Sequence, residues 1–184
     1  MRKRSLYLLI TLLALSACEV HMAPSDYWRR AFSTQTDSEY YQSKAKELVT
    51  RVLGVAGEYD INKVGVIDFV DESGKVPVLG EYMAGRVTAE VANKRPMRVT
   101  QQGEVKDVLS KLGLSASQLY TKNDIKKIGE GLGSQALLTG KITDLGTNID
   151  ILVTMIDVAS GEVIASATGN LTRTKFAVEM LRHY

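Results

Sequence analysis

Two kinds of spacer separate the β-rich stretches of this sequence, and together they fix its fold class. The run Lys63-Val64-Gly65-Val66-Ile67-Asp68-Phe69-Val70 is short, rich in β-branched residues and bounded by the polar turn Asp71-Glu72-Ser73-Gly74, which marks a buried strand. A helical pattern follows from about Val78 to Asn93, with Leu79, Met83, Val87 and Val91 on one face and Pro77 where a helix can begin. Met97-Arg98-Val99-Thr100 then reads as a second strand. A helix between successive strands makes them parallel, joined by a right-handed crossover. Two more helical patterns come next. Val105, Val108, Leu109 and Leu112 define one, closed by Gly113. Ile125, Ile128 and Leu132 define the other, from about Asn123 to Leu132. Thr121 and Asp124 sit at the start of the latter, and Gly133 is positioned to stop it in a left-handed turn.

Beyond Gly133 only short turns intervene. Asp144 to Asn148 and Ala159-Ser160-Gly161 separate strands predicted at Ala136 to Thr143, Ile149 to Val158 and Glu162 to Gly169, so these neighbours run antiparallel. A helix from Ser38 to about Leu53 precedes everything. Thr36 and Glu39 have capping-box spacing, Tyr41, Ala45, Leu48, Val49 and Val52 form its apolar stripe, and Gly54 and Gly57 end it. The expectation is α/β: one domain over residues 36–184, with a mixed β-sheet in the order βαβαα then three antiparallel strands, and helices packed on it.

The first 35 residues are of another kind. Arg2, Lys3 and Arg4 precede the apolar run Leu6 to Leu15, which is roughly half the length of about 20 residues that a bilayer-spanning helix needs. The run ends in Leu15-Ser16-Ala17-Cys18, which resembles the bacterial lipobox. That resemblance implies cleavage of residues 1–17 as a signal peptide and acylation of Cys18, so that hydrocarbon alone attaches the mature chain to a membrane. Glu19, rather than Asp, follows the cysteine, and by likeness to enterobacterial sorting rules this implies the outer membrane, with the domain facing the periplasm. Residues 18–35 read as a tether. Within it Trp28 and Phe32 flank Arg29 and Arg30, and form a candidate partner or interfacial contact.

Charge and cysteine usage then exclude several classes. The chain has 23 Lys and Arg against 21 Asp and Glu, and three of the basic residues lie in the leader, leaving 20 against 21. Nucleic acid is not expected as a partner, because it calls for a basic footprint. Cys18 is the one cysteine, so the fold holds without a disulfide. His21 and His183 lie at opposite ends of the mature chain, which leaves little for a Ser-His-Asp or Cys-His arrangement or a zinc site. No enzyme activity and no cofactor are expected. The best constellation for a ligand or hard metal ion is Asp68, Asp71 and Glu72, at the carboxyl end of the first strand, where open α/β sheets bind ligands. The plainer alternative is a solvated turn whose carboxylates cap the following helix. Gly129-Glu130-Gly131-Leu132-Gly133 follows a helix and precedes a strand, the reverse of a phosphate-cradling loop.

Residues in order along the domain carry a family resemblance. Val64-Gly65-Val66-Ile67-Asp68-Phe69 with Leu79-Gly80, then Ile128-Gly129, Leu132-Gly133 and Ala136 to Ile142, then Ile156-Asp157-Val158 with Ser160 to Ile164, resemble the TolB N-terminal-like domains. Those include the FlgO-type flagellar lipoproteins and the soluble part of the curli secretion protein CsgG. The resemblance covers roughly Lys63 to Gly169. It implies a non-enzymatic outer-membrane lipoprotein that assembles or stabilises an envelope structure, with the flagellum first and envelope or flagellar proteins, or further copies of the chain, as partners. CsgG's pore-forming hairpins have no spare segment here, so the pore is not carried over. An LpoB-type activator of a peptidoglycan synthase is the alternative, although LpoB-type proteins use a longer tether. An oligomeric secretion component without its own barrel is a further one. The strand Glu162 to Gly169 is expected at a sheet edge, open to strand addition.

Overall fold

Thr36 caps the first helix of the described residues. In the computed structural model, which describes residues 36–117 and 119–184, its hydroxyl accepts from the Glu39 amide while the Glu39 carboxylate accepts from the Thr36 amide. This capping box starts helix α1, Asp37–Val52, whose buried stripe is Tyr41, Ala45, Leu48, Val49 and Val52. Gly54 and Gly57 do not stop the chain turning. A 3₁₀ helix, Leu53–Tyr59, continues from α1 and ends at Asp60, which adopts φ 51°.

Strand β1, Lys63–Val66, is shorter than the sequence pattern predicts. The chain nonetheless stays beside its neighbour, since the Ile67 and Val70 amides donate to the Leu138 and Gly140 carbonyls. Helix α2, Val78–Ala92, follows with Pro77 at its N-cap. Strand β2 is only Arg98–Val99. Helices α3, Gln102–Lys111, and α4, Lys122–Leu132, come next. The Thr121 and Asp124 pair closes a full capping box on α4, and Gly133 ends it at φ 57°. Strands β3, Ala136–Asp144, β4, Asn148–Asp157, and β5, Val163–Thr172, form a meander. A last helix, α5, Lys175–Arg182, was not expected from the pattern.

The sheet order is β2-β1-β3-β4-β5. Strand β1 is parallel to both β2 and β3, whereas β3, β4 and β5 are antiparallel, which is the mixed sheet expected. Helices α1, α2 and α5 bury their apolar residues against one face, on Val64, Leu138, Ile151 and Met155 among others. Helices α3 and α4 cover part of the other face, around Ile67, Leu137 and Ile156.

Phe69 shows why the strand pattern breaks after Val66. It is fully buried, and two glycines admit it. A Cβ on Gly140 would lie 2.3 Å from its ring, and one on Gly80 would lie 2.1 Å from its carbonyl oxygen. The chain thus turns inward between β3 and the start of α2, and resumes a bridge at Val70 opposite Lys141.

Candidate functional site

Of the three carboxylates expected at the end of β1, Asp68 and Asp71 are engaged by different partners and Glu72 by neither set. Asp68 Oδ1 accepts from the Gln102 side chain on α3 at 3.2 Å, and Oδ2 lies 3.5 Å from Lys106 Nζ. Lys106 also pairs with Glu81 of α2. Burial pushes the Asp68 carboxyl above its ordinary range, and the nearby Lys106 opposes this only in part. Asp68 therefore stitches the start of α3 to the end of β1.

Asp71 is occupied differently. Its Oδ1 accepts from the Ser73 amide, the Ser73 hydroxyl and the Lys75 amide at 2.8, 2.7 and 3.0 Å, and Oδ2 accepts from the Tyr184 hydroxyl at 2.8 Å. Burial acts to raise its pKa, but the hydrogen bonds together outweigh it and hold the carboxyl below the usual range. The lysine Lys75 lies over the Tyr184 ring, and the Val78 amide donates to the His183 carbonyl, so the last residues fasten onto this loop. Asp71 folds its own turn rather than capping α2, whose N-cap Pro77 has no side-chain bond. Glu72 is exposed. Among the described residues no group of three His, Cys, Asp or Glu is arranged to hold a metal ion. Cys18, Trp28 and Phe32 lie outside the described residues.

The expected edge is a real edge, and it is partly guarded. On β5, Arg51 Nη1 donates to the Thr168 carbonyl at 3.1 Å, and the Thr172 amide donates to the Tyr40 hydroxyl at 2.7 Å. Both guards belong to α1. At the other end of β5 the register with β4 shifts between Met155 and Ile156, which bends the edge. Strand addition along the full length of β5 therefore meets side chains already bonded to two of its outward groups.

A concavity that the sequence did not point to lies at the opposite end of the sheet. A cleft of about 350 Å³ is enclosed by the end of α1, the 3₁₀ helix, the Asp60–Asn62 turn and the Lys94–Met97 segment before β2. Ala56 and Ile61 are buried beneath it, with Leu53 and Met97 half-buried at its sides. Lys94 stands at the mouth with Nζ 3.2 Å from the Thr50 hydroxyl, and Arg95 is exposed beside it. The only sequence signal was the basic pair before Pro96, since the apolar lining comes from segments more than thirty residues apart.

No protein-family model matches the sequence, and no curated protein matches it. Among solved structures, the LpoB C-terminal domain from Salmonella enterica is similar at a TM-score of 0.57 and 18% identity, over 72% of this chain and 98% of that one. The same domain from Escherichia coli gives 0.58 at 17% identity, over 72% and 98%. The fold is that of the LpoB C-terminal domain. The NMR structure of E. coli LpoB agrees at 0.60 and 17% identity, over 73% of this chain and 68% of that one. At such identity the likeness to LpoB is one of fold, and residue roles are not transferable through it. The mixed five-strand sheet is also what the TolB-type sequence frame implied.

Proposed function

We propose that this chain is an acylated envelope lipoprotein that works without catalysis, as an LpoB-like activator that binds a peptidoglycan synthase. The observation that carries the reading is coverage: the domain accounts for 98% of the LpoB C-terminal domain's length, so nothing of that fold unit is missing. The lipobox frame at Cys18 supports it, as does the lack, among the described residues, of a helix long and apolar enough to cross a membrane. The flagellar role expected first rested on the sequence frame alone. The LpoB structures described above each match at a TM-score above 0.5, and this supports the activator reading in its place.

The mechanism is confinement. An acyl anchor on Cys18 holds the domain at a surface, and Cys18–Gln35, fully extended, reach roughly 60 Å. Within that shell a weak contact gains from high effective concentration. The test is to crosslink cells mildly, purify the lipidated protein from outer membranes and identify what accompanies it, then add the purified chain to the recovered synthase and follow glycan-strand synthesis. Co-recovery with a raised rate is the expected result. Basal-body proteins in place of synthases, or no change in rate, would overturn it.

A further inference from the structure

The cleft beside Lys94 and Arg95 combines an apolar lining with an excess of positive charge at the mouth. Leu53, Ala56, Ile61 and Met97 supply the first. Lys94 and Arg95 supply the second, against the single carboxylate of Asp60 on the facing wall. Among the described residues Arg95 makes no ion pair or side-chain hydrogen bond, so its guanidinium is available to an incoming carboxylate. The wall between is open because Gly54 and Gly57 lie three residues apart on the 3₁₀ helix and so share a face, and a Cβ on either would meet nothing within 4 Å.

We infer that this cleft is a docking site for a partner protein, which inserts one aliphatic side chain onto the Ile61 and Met97 floor and sets a neighbouring carboxylate against Lys94 and Arg95. The occupant's chemistry follows from the two halves. A volume of about 350 Å³ suits a single leucine-sized anchor with its adjoining backbone rather than a helix. The unbalanced cations select an acidic neighbour and disfavour a basic one. The inference rests on the non-catalytic, partner-binding reading above, and gives that reading a surface.

The lipidated full-length mature protein in detergent micelles, with methyl-labelled Leu, Ile and Met, is titrated with N-acetyl-leucine and, separately, with N-acetyl-leucinamide, which lacks the carboxylate. The Leu53, Ile61 and Met97 methyl signals are expected to shift saturably with the first. The second should bind two- to fivefold more weakly, the range of an exposed charge contact. Gly57→Leu, which fills the cleft without backbone strain, is expected to abolish both shifts while the melting temperature holds or rises. The double variant Lys94→Glu, Arg95→Glu should bring N-acetyl-leucine down to the affinity of the amide. Absence of saturable shifts at these methyls, or equal binding of the two probes, would overturn the site. The same Gly57→Leu protein in the crosslinking experiment separates the two claims. Probe binding without any synthase recovered sinks the activator reading and leaves the cleft. Full stimulation of a synthase by Gly57→Leu sinks the cleft and leaves the activator.

Discussion

Asp68 and Asp71 lie three positions apart and respond to pH in opposite senses. Asp71 is held more acidic in the fold than in the unfolded chain, so its contribution is complete at neutral pH and is lost only as the pH falls below about 3.8. Asp71→Asn is therefore expected to lower stability by about 1–2 kcal/mol at pH 7, roughly the size of one charge-assisted bond because the amide keeps an acceptor oxygen, with the gap to the parent closing in denaturant titrations under pH 3.8. Asp68 has the reverse sign. Its carboxyl is raised by burial, so the folded state favours the protonated form and is weakened as the pH rises through the folded pKa. Asp68→Asn is expected to be at least as stable as the parent at pH 7, with the difference shrinking toward pH 3.8. A clear loss at pH 7 would show that the Lys106 pairing outweighs burial. The sequence located both carboxylates at a strand end. It could not assign their partners, because Gln102 is 34 positions from Asp68, and Tyr184 is 113 from Asp71.

At the scale of elements, what was legible was local chemistry. The Thr36–Glu39 and Thr121–Asp124 boxes were readable because each is closed within four residues, and Gly133 because a left-handed stop depends on one residue. Thr121→Ala is expected to cost about 1 kcal/mol, read as a lower midpoint in urea with an unchanged slope. Asp124→Ala should cost a similar amount, and the double variant less than the sum, since the two bonds close one ring. Elements that depend on tertiary support were read less well. Strand β1 stops early because Phe69 must enter the core, which no periodicity reveals. Helix α5 was missed although Thr174 caps it and Ala177 and Met180 are buried at helical spacing. Eight residues are too few for a stable helix alone, and its existence depends on packing against the α1 and α2 side of the sheet.

For the whole molecule, the two sheet edges are treated unequally. The β2 edge is two residues long, carries Arg98 and follows Pro96, each of which discourages pairing with another chain. The β5 edge runs for ten residues without a charge or a proline, and its protection comes from elsewhere: Arg51 and Tyr40 reach across from α1. The double variant Arg51→Ala, Tyr40→Phe removes both of these bonds while keeping the aromatic ring at position 40. It is expected to self-associate with rising concentration in sedimentation, whereas the parent remains a single species. An unchanged sedimentation profile at high concentration would show that the bend near Ile156 protects the edge unaided.

Phe69, Gly80 and Gly140 come from three separate stretches of the chain and occupy one small volume. None can change alone without a clash or a void. Over evolutionary time Phe69 and Gly140 are thus bound to vary together: a lineage that replaces the phenylalanine with a smaller side chain becomes free to acquire alanine or serine at position 140, whereas position 80 faces the backbone carbonyl of residue 69 and keeps its glycine whatever side chain stands there. Among relatives too diverged for ordinary sequence matching, the three positions are expected to read as a glycine at 80 together with either an aromatic and a glycine, or two smaller side chains, at 69 and 140.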